Sequence, residues 1–236
     1  MKVAVMQPYL FPYIGYFQLA YAVDKFVFYD DVNFIKKGWI NKNNILVNGA
    51  ASSFTVPLTK VSQNKRINET AFATEEKWFK SFEQTLFFNY KNAPFYNETM
   101  EVVLAVLELR KNVSFISELA AASVKNVSGY LGIETVFENS SEKYSATKGM
   151  EKAMRLIEIT KLNGSDQYIN PLGGAELYSK EEFILSGIHL EFIKPGEVRY
   201  RQFKEPFVPW LSIIDVMMFN SAETIKNNLL PAYSLI

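Results

Sequence analysis

The chain has 236 residues, 48% of them hydrophobic, which is enough to bury a sizeable core and excludes a disordered polymer. Lysine plus arginine and aspartate plus glutamate number 25 each, so there is no basic footprint for nucleic acid or for an acidic membrane surface. With no cysteine and one histidine, disulfides, thiolate nucleophiles, cysteine-bound zinc, multi-histidine metal centres and a histidine relay are all excluded.

Residues 3–6 form a short apolar run that stops at Gln7-Pro8 and reads as a buried strand. Pro8 and Pro12 break the apolar start, and no later run approaches the roughly 18 residues of a membrane helix, so a soluble, cytoplasmic protein is expected. Residues 14–23 have helix length, and residues 25–29 (KFVFY) are β-prone and end at Asp30-Asp31. Strand, helix and strand in about 30 residues make a βαβ unit with a parallel pair.

Asn48-Gly49 lies between two β-prone runs in residues 43–57 and predicts a hairpin. Residues 58–68 are polar and basic and read as an exposed loop. Residues 69–131 carry three apolar faces at helical spacing, exemplified by Trp78, Phe82 and Leu86, and end near Gly129 and Gly132. Strands are expected again at 133–137, 167–170 and 189–193, and helices at 147–162, after Ser179 and from Ser212 to about Leu229. The expected fold is therefore α/β: a doubly wound, mostly parallel five-stranded sheet, in a single domain spanning 1–236, with a hairpin-plus-helices insertion at 43–131. In such sheets ligands bind beyond the carboxyl ends of the strands, at the switch point.

Three segments fall at that edge. Residues 6–17 run from the first strand into the first helix. Gln7, Pro8, Tyr9, Gly15 and Tyr16 form either a rigid aromatic loop or a ligand-binding turn beside free helix N–H groups. The layout resembles that of nucleotidylyltransferases and class I synthetases, but Tyr16 stands where their Gly-His pair has histidine. Residues 30–43 hold acids, bases and amides directly after the second strand. Asp30 or Asp31 could act as a general base or orient a hydroxyl, and Lys36 and Lys42 could bind phosphate beside Trp39, Asn41 and Asn43. Adjacent aspartates in an extended segment point opposite ways, so no metal site is expected on them. Residues 164–178 carry Asn170 and then Gly173-Gly174, either an ordinary turn or an anion-binding nest. Tyr144 and Lys148 form a polar helix entry nearby. His189 opens a strand at the opposite end and reads as a surface residue. Asp215 reads as a capping or packing residue.

The Met6-Gln7-Pro8 opening with Gly15-Tyr16-Phe17 is one of four matching pieces. The others are the Asp30-Asp31-Val32 segment with Asn41-Lys42-Asn43, Tyr168-x-Asn170-Pro171-x-Gly173-Gly174, and Leu211-Ser212-Ile213-Ile214-Asp215. Together they resemble the WbqC-like protein family over essentially the whole chain. Lys42 stands where the family has arginine, which keeps the charge but loses bidentate geometry. The resemblance implies a bacterial protein of surface-polysaccharide (O-antigen or capsule) gene clusters. Its expected activity is transfer or ligation on an amino sugar or sugar nucleotide, by acyl or aminoacyl transfer, with ATP or an acyl or aminoacyl compound as donor. A non-catalytic binding or assembly protein for glycan enzymes is the alternative. The expected partners are a small molecule or glycan and, through self-association, a second copy, with no nucleic acid and no transmembrane segment.

Overall fold

The computed structural model describes residues 1–59, 62 and 64–236. Lys60, Val61 and Gln63, part of the loop expected at 58–68, lie outside the described residues.

Strand β1 (Lys2–Met6) is apolar from Val3 onward, and Val3, Ala4 and Val5 are buried because the strand is covered on both faces, the pattern of a central parallel strand. It pairs in parallel with β2 (Lys25–Phe28) on one side and with β6 (Gln167–Pro171) on the other. Outside β2 lies β5 (Val136–Asn139), and outside β6 lies β7 (His189–Pro195), both parallel to their neighbours. A sixth strand, β8 (Tyr233–Leu235), pairs antiparallel with the end of β7. The order is thus β5-β2-β1-β6-β7-β8, six strands where the sequence pattern predicts five. Three residues are too few for a periodicity to register.

Helices lie on both faces. Helix α1 (Ile14–Tyr21) packs Phe17 and Leu19 with Ala4, Phe26 and Ile169. The same cluster takes in α2 (Glu76–Tyr90), α3 (Tyr96–Glu108) and α4 (Ile116–Tyr130) through Phe82, Val103 and Leu119. On the other face, α6 (Lys152–Leu162) and α7 (Lys180–Leu185) bury Leu156, Ile157 and Phe183 against Val3, Val5, Val27 and Tyr168. Connections therefore leave the sheet in opposite directions from β1 and β6, which makes the gap between these two strands the switch point. The hairpin is β3 (Lys42–Val47) and β4 (Ala50–Thr55), and its turn residues Asn48 (φ 54°) and Gly49 (φ 83°) have the left-handed pair that Asn-Gly favours.

Three boundaries differ from expectation for local reasons. Gly132 (φ 65°) ends α4, and the Ile133 N–H donates back to the Ser128 carbonyl, so β5 starts only at Val136. Gly149 (φ 91°) breaks the helix expected from 147, and α6 starts at Lys152. Near the C-terminus α8 (Ile213–Phe219) stops at an extended Asn220, and Ser221 caps a new turn. No helix among the described residues is long and apolar enough to cross a membrane.

Candidate functional site

The carboxyl edge of the sheet divides into three regions. The first is an ionic cluster. Asp30 and Asp31 follow β2 and are 5% and 6% exposed. Asp30 Oδ1 accepts from the Ser141 backbone N–H (2.9 Å) and lies 3.0 Å from the Ser140 hydroxyl oxygen, and Oδ2 accepts from the Ser141 hydroxyl (2.6 Å). These bonds cap α5 (Ser140–Lys143), the short helix after β5, with a carboxylate from another strand. Asp31 accepts from the Ser140 hydroxyl (2.5 Å) and from Arg155 Nη2 (2.6 Å). Arg155 comes from α6, is 4% exposed, donates also to Thr147 Oγ1 (3.0 Å) and lies 4.7 Å from the Tyr29 ring centre. Burial alone would lower its pKa, but Asp31 and Tyr29 more than offset that and hold it above the ordinary value. Burial pushes the Tyr29 hydroxyl up, and Arg155 opposes the shift.

The second region is the switch point. Gln7 follows β1, and Asn170 is the penultimate residue of β6. Strand alternation puts Asn170 on the face of Tyr168, toward α6 and α7. Asn170 is 5% exposed, and its Nδ2 has no hydrogen-bond partner among the described residues. Burying an unpaired amide costs about 1–3 kcal/mol, so a group of this kind calls for a reason. Gly174 sits directly against it: a Cβ there would overlap Nδ2 and come within 3.4 Å of the Tyr178 ring. Gly173 and Gly174 form a single tight turn after the strand.

The third region is a pair of clefts on either side of Tyr13 and Trp210, whose rings lie 5.9 Å apart and tilted by 58°. The larger, about 540 Å³, runs between the start of α1 and the segment after β7, with Gly15, Gly196, Arg199 and Phe207 among its walls. The smaller, about 280 Å³, is lined by Tyr9, Pro12, Trp39, Asn43 and Asn44. At Gly15 the Tyr13 ring folds back over the backbone, inside the space a Cβ would fill, so a larger residue there would push the ring aside. Trp210 has φ 61° and is 71% exposed. A bulky residue in the left-handed region costs on the order of 1–3 kcal/mol and persists only where its surroundings impose it. Here Ser212 imposes it, through its N–H to the Asn44 carbonyl (2.8 Å) and its hydroxyl to the Phe11 carbonyl (2.7 Å).

Behind the larger cleft, Asp215 is fully buried with no cation. It accepts from the hydroxyls of Tyr90 (2.8 Å) and Tyr200 (2.7 Å) and from Gln202 Nε2 (2.9 Å). Burial raises its pKa, against the lowering effect of these donors. Asp215 thereby ties the 196–210 segment to α2 and α8.

The residues nominated from sequence separate accordingly. Gln7, Asn170, Gly173 and Gly174 are at the switch point, and Tyr9, Trp39 and Asn43 share the smaller cleft, with Gly15 in the larger. Several have their polar atoms engaged by the chain. Asn43 Nδ2 donates to the Phe11 carbonyl (2.8 Å) while its Oδ1 accepts from the Asn44 N–H (2.8 Å). Asn41 donates to the Val56 carbonyl (2.8 Å), and Tyr16 to the Gln7 carbonyl (2.8 Å). These bonds, with buried Pro8, fix the loop from β1 to α1. The Tyr144 hydroxyl donates to the Glu138 carboxylate and lies 2.9 Å from the side chain of Asn163, just past the far end of α6. Lys42 lies over the Trp39 ring at 5.2 Å, whereas Lys36 and Lys148 are exposed and line neither cleft. His189 is exposed at the start of β7.

Arg155, Ser140 and Trp210 were not legible beforehand. Arg155 interrupts the apolar stripe of α6, a signal that a buried cation is present, but not what it faces. Among the described residues no cluster of three or more metal-ligating side chains occurs.

The fold is mixed α/β, with a mostly parallel central sheet of six strands and a small antiparallel hairpin. The chain belongs to the WbqC-like protein family, whose model matches residues 7–227. It is 30% identical over 224 residues to the uncharacterized protein Rv1507c of Mycobacterium tuberculosis, covering 94% of this chain and 95% of that one. No solved structure matches it.

Proposed function

We propose that the protein is a cytoplasmic transferase or amide-forming ligase acting on an amino sugar or sugar nucleotide in bacterial surface-polysaccharide biosynthesis. The reaction class is acyl or aminoacyl transfer. The amine nitrogen attacks an activated carbonyl carbon, the bond from that carbon to the leaving group breaks with its electron pair on the leaving group, and the leaving group takes up the proton that the nitrogen loses. The observation that carries this reading is the Asn170 amide, buried without a partner at the switch point of an α/β sheet. In this proposal Asn170, Gln7 and the Gly173-Gly174 turn hold the carbonyl or phosphate oxygens of a nucleotide- or acyl-type donor, as in nucleotide-binding sheets of this general class. Asp31 and Asp30 hold Arg155 and the Ser140-Ser141 turn in place and orient the amine. Lys36, Lys42 and Lys148 supply cations at the rim. Residues 43–131 act as an insertion in one domain and wall the acceptor side.

One observation favours a second reading, a non-catalytic binding or assembly protein. Both oxygens of Asp31 are already bonded, to Arg155 and Ser140, so Asp31 is not a free carboxylate base.

The test is a thermal-shift screen against sugar nucleotides, ATP, acyl-CoAs and amino acids. A ligand at 100 times its Kd adds about 2.7 kcal/mol of stability. The proposal expects a shift with a sugar nucleotide or acyl donor that disappears in Asn170→Ala, and turnover with an amino-sugar acceptor. Ligand binding with no product from any donor–acceptor pair would support the binding protein, and no shift with any class would remove the enzyme reading.

A further inference from the structure

We propose that the two clefts flanking Tyr13 and Trp210 form a carbohydrate groove, with the C–H face of a pyranose ring lying on the Trp210 indole. The inference deepens the transferase reading, on which it rests for the identity of the sugar, by giving the acceptor a seat separate from Asn170.

A pyranose ring presents C–H groups on its faces and hydroxyls around its edge. A site for it therefore needs a flat apolar platform with polar groups beside it. The groove has both. Trp210, 71% exposed, lines both clefts, Trp39, 45% exposed, lines the smaller, and water is a poor partner for an indole face. Trp210 is also held in the left-handed backbone region, at φ 61°, which keeps the ring at the cleft wall. The polar edge comes from the hydroxyls of Tyr9 and Tyr13, neither of which has a hydrogen-bond partner among the described residues, and from Arg199 and Asn44. Burial and the nearness of Tyr13 keep the Tyr9 hydroxyl protonated, so it is available as a donor.

The groove volumes, about 540 and 280 Å³, lie in and just below the usual small-ligand range of about 300–1,000 Å³. A nucleobase would favour two parallel walls, whereas Tyr13 and Trp210 are tilted by 58°. A puckered sugar ring needs only one platform. An added peptide strand finds no free edge between Leu211 and Ile213, because the N–H groups of Ser212 and Ile213 already donate to the Asn44 and Pro12 carbonyls.

The test is saturation-transfer NMR on the full chain with millimolar methyl glycosides of glucose, galactose, mannose and N-acetylglucosamine. Uridine and adenosine serve as base-stacking probes. Because the platform recognises the C–H face common to these rings, saturation should reach the ring protons of at least one glycoside. Trp210→Ala should weaken that signal at least tenfold, Trp210→Phe should restore part of it, and Asn170→Ala should leave it unchanged. No transfer to any glycoside, or equal transfer in Trp210→Ala, would overturn the proposal. Transfer confined to the nucleosides would make the groove a base site and would overturn it too. A glycoside signal that survives while sugar nucleotides and acyl donors give no thermal shift would retain the groove and remove the transferase reading.

Discussion

The Asp31–Arg155 cluster and the Asn170 turn stand at the ends of neighbouring parts of one sheet, yet they differ in how completely their polar atoms are satisfied. Around Asp31 both carboxylate oxygens have donors, and Arg155 has a carboxylate, a hydroxyl and an aromatic face. At Asn170 the buried amide nitrogen has none. The first arrangement is what a protein needs to hold three connections together. The second is what it tolerates where something else completes the bonding. Density of charged residues in the sequence draws attention to the aspartates, but the unmet hydrogen bond marks Asn170 as the stronger candidate for ligand contact.

The contrast can be broken by substitution, and the largest effect should come from the satisfied side. Arg155→Ala leaves the Asp31 carboxylate buried without its cation, which should cost about 3–5 kcal/mol in urea unfolding. A loss below about 1 kcal/mol would show that water reaches Asp31 and that the cluster is not a structural tie.

Asp215→Ala strands the hydroxyls of Tyr90 and Tyr200 and the Gln202 amide, and should cost about 1–3 kcal/mol. Its pH dependence has a definite sign. The folded protein holds the Asp215 proton more tightly than the unfolded chain, whose value is near the ordinary 3.8. That contribution to stability is complete below the ordinary value and declines as pH rises through the folded one. Asp215→Asn cannot ionise, so the stability gap between it and the wild type should narrow as pH is raised from about 4 toward neutrality. A gap that widens over that range would mean that the three donors outweigh burial.

Smaller effects sharpen the comparison from the open side. Trp210→Ala removes an indole that touches little, so stability should change by no more than about 0.5 kcal/mol. Gly174→Ala should displace the Asn170 amide and abolish any ligand-induced thermal shift that depends on it. Retention of the full shift would detach Asn170 from the ligand.

Much of the scaffold was legible because it follows from local rules. The Asn-Gly hairpin, the parallel strands expected at 3–6, 25–29 and 167–170, and the Ser179 and Ser212 caps each depend on a few adjacent residues. That the segments after β1, β2 and β6 meet at one edge of the sheet also followed, since parallel strands end on the same side. What could not be read were partnerships across long separations. Arg155 meets Asp31 across 124 positions, and Ser140 meets it across 109. Asp215 gathers its donors from α2 and from the 196–210 segment, which contains Pro206 and Pro209 and has no apolar period. Trp210 was missed for the same reason: its exposure is set by Asn44 and Phe11 holding the next residue but one.

The most direct test of the central claim is chemical unfolding of Asn170→Ala beside Arg155→Ala. If the Asn170 amide is kept for a ligand, removing it takes away an unpaired buried dipole, and stability should hold or rise while Arg155→Ala loses several kcal/mol. A loss in Asn170→Ala as large as that in Arg155→Ala would make Asn170 another structural tie and would contradict the account.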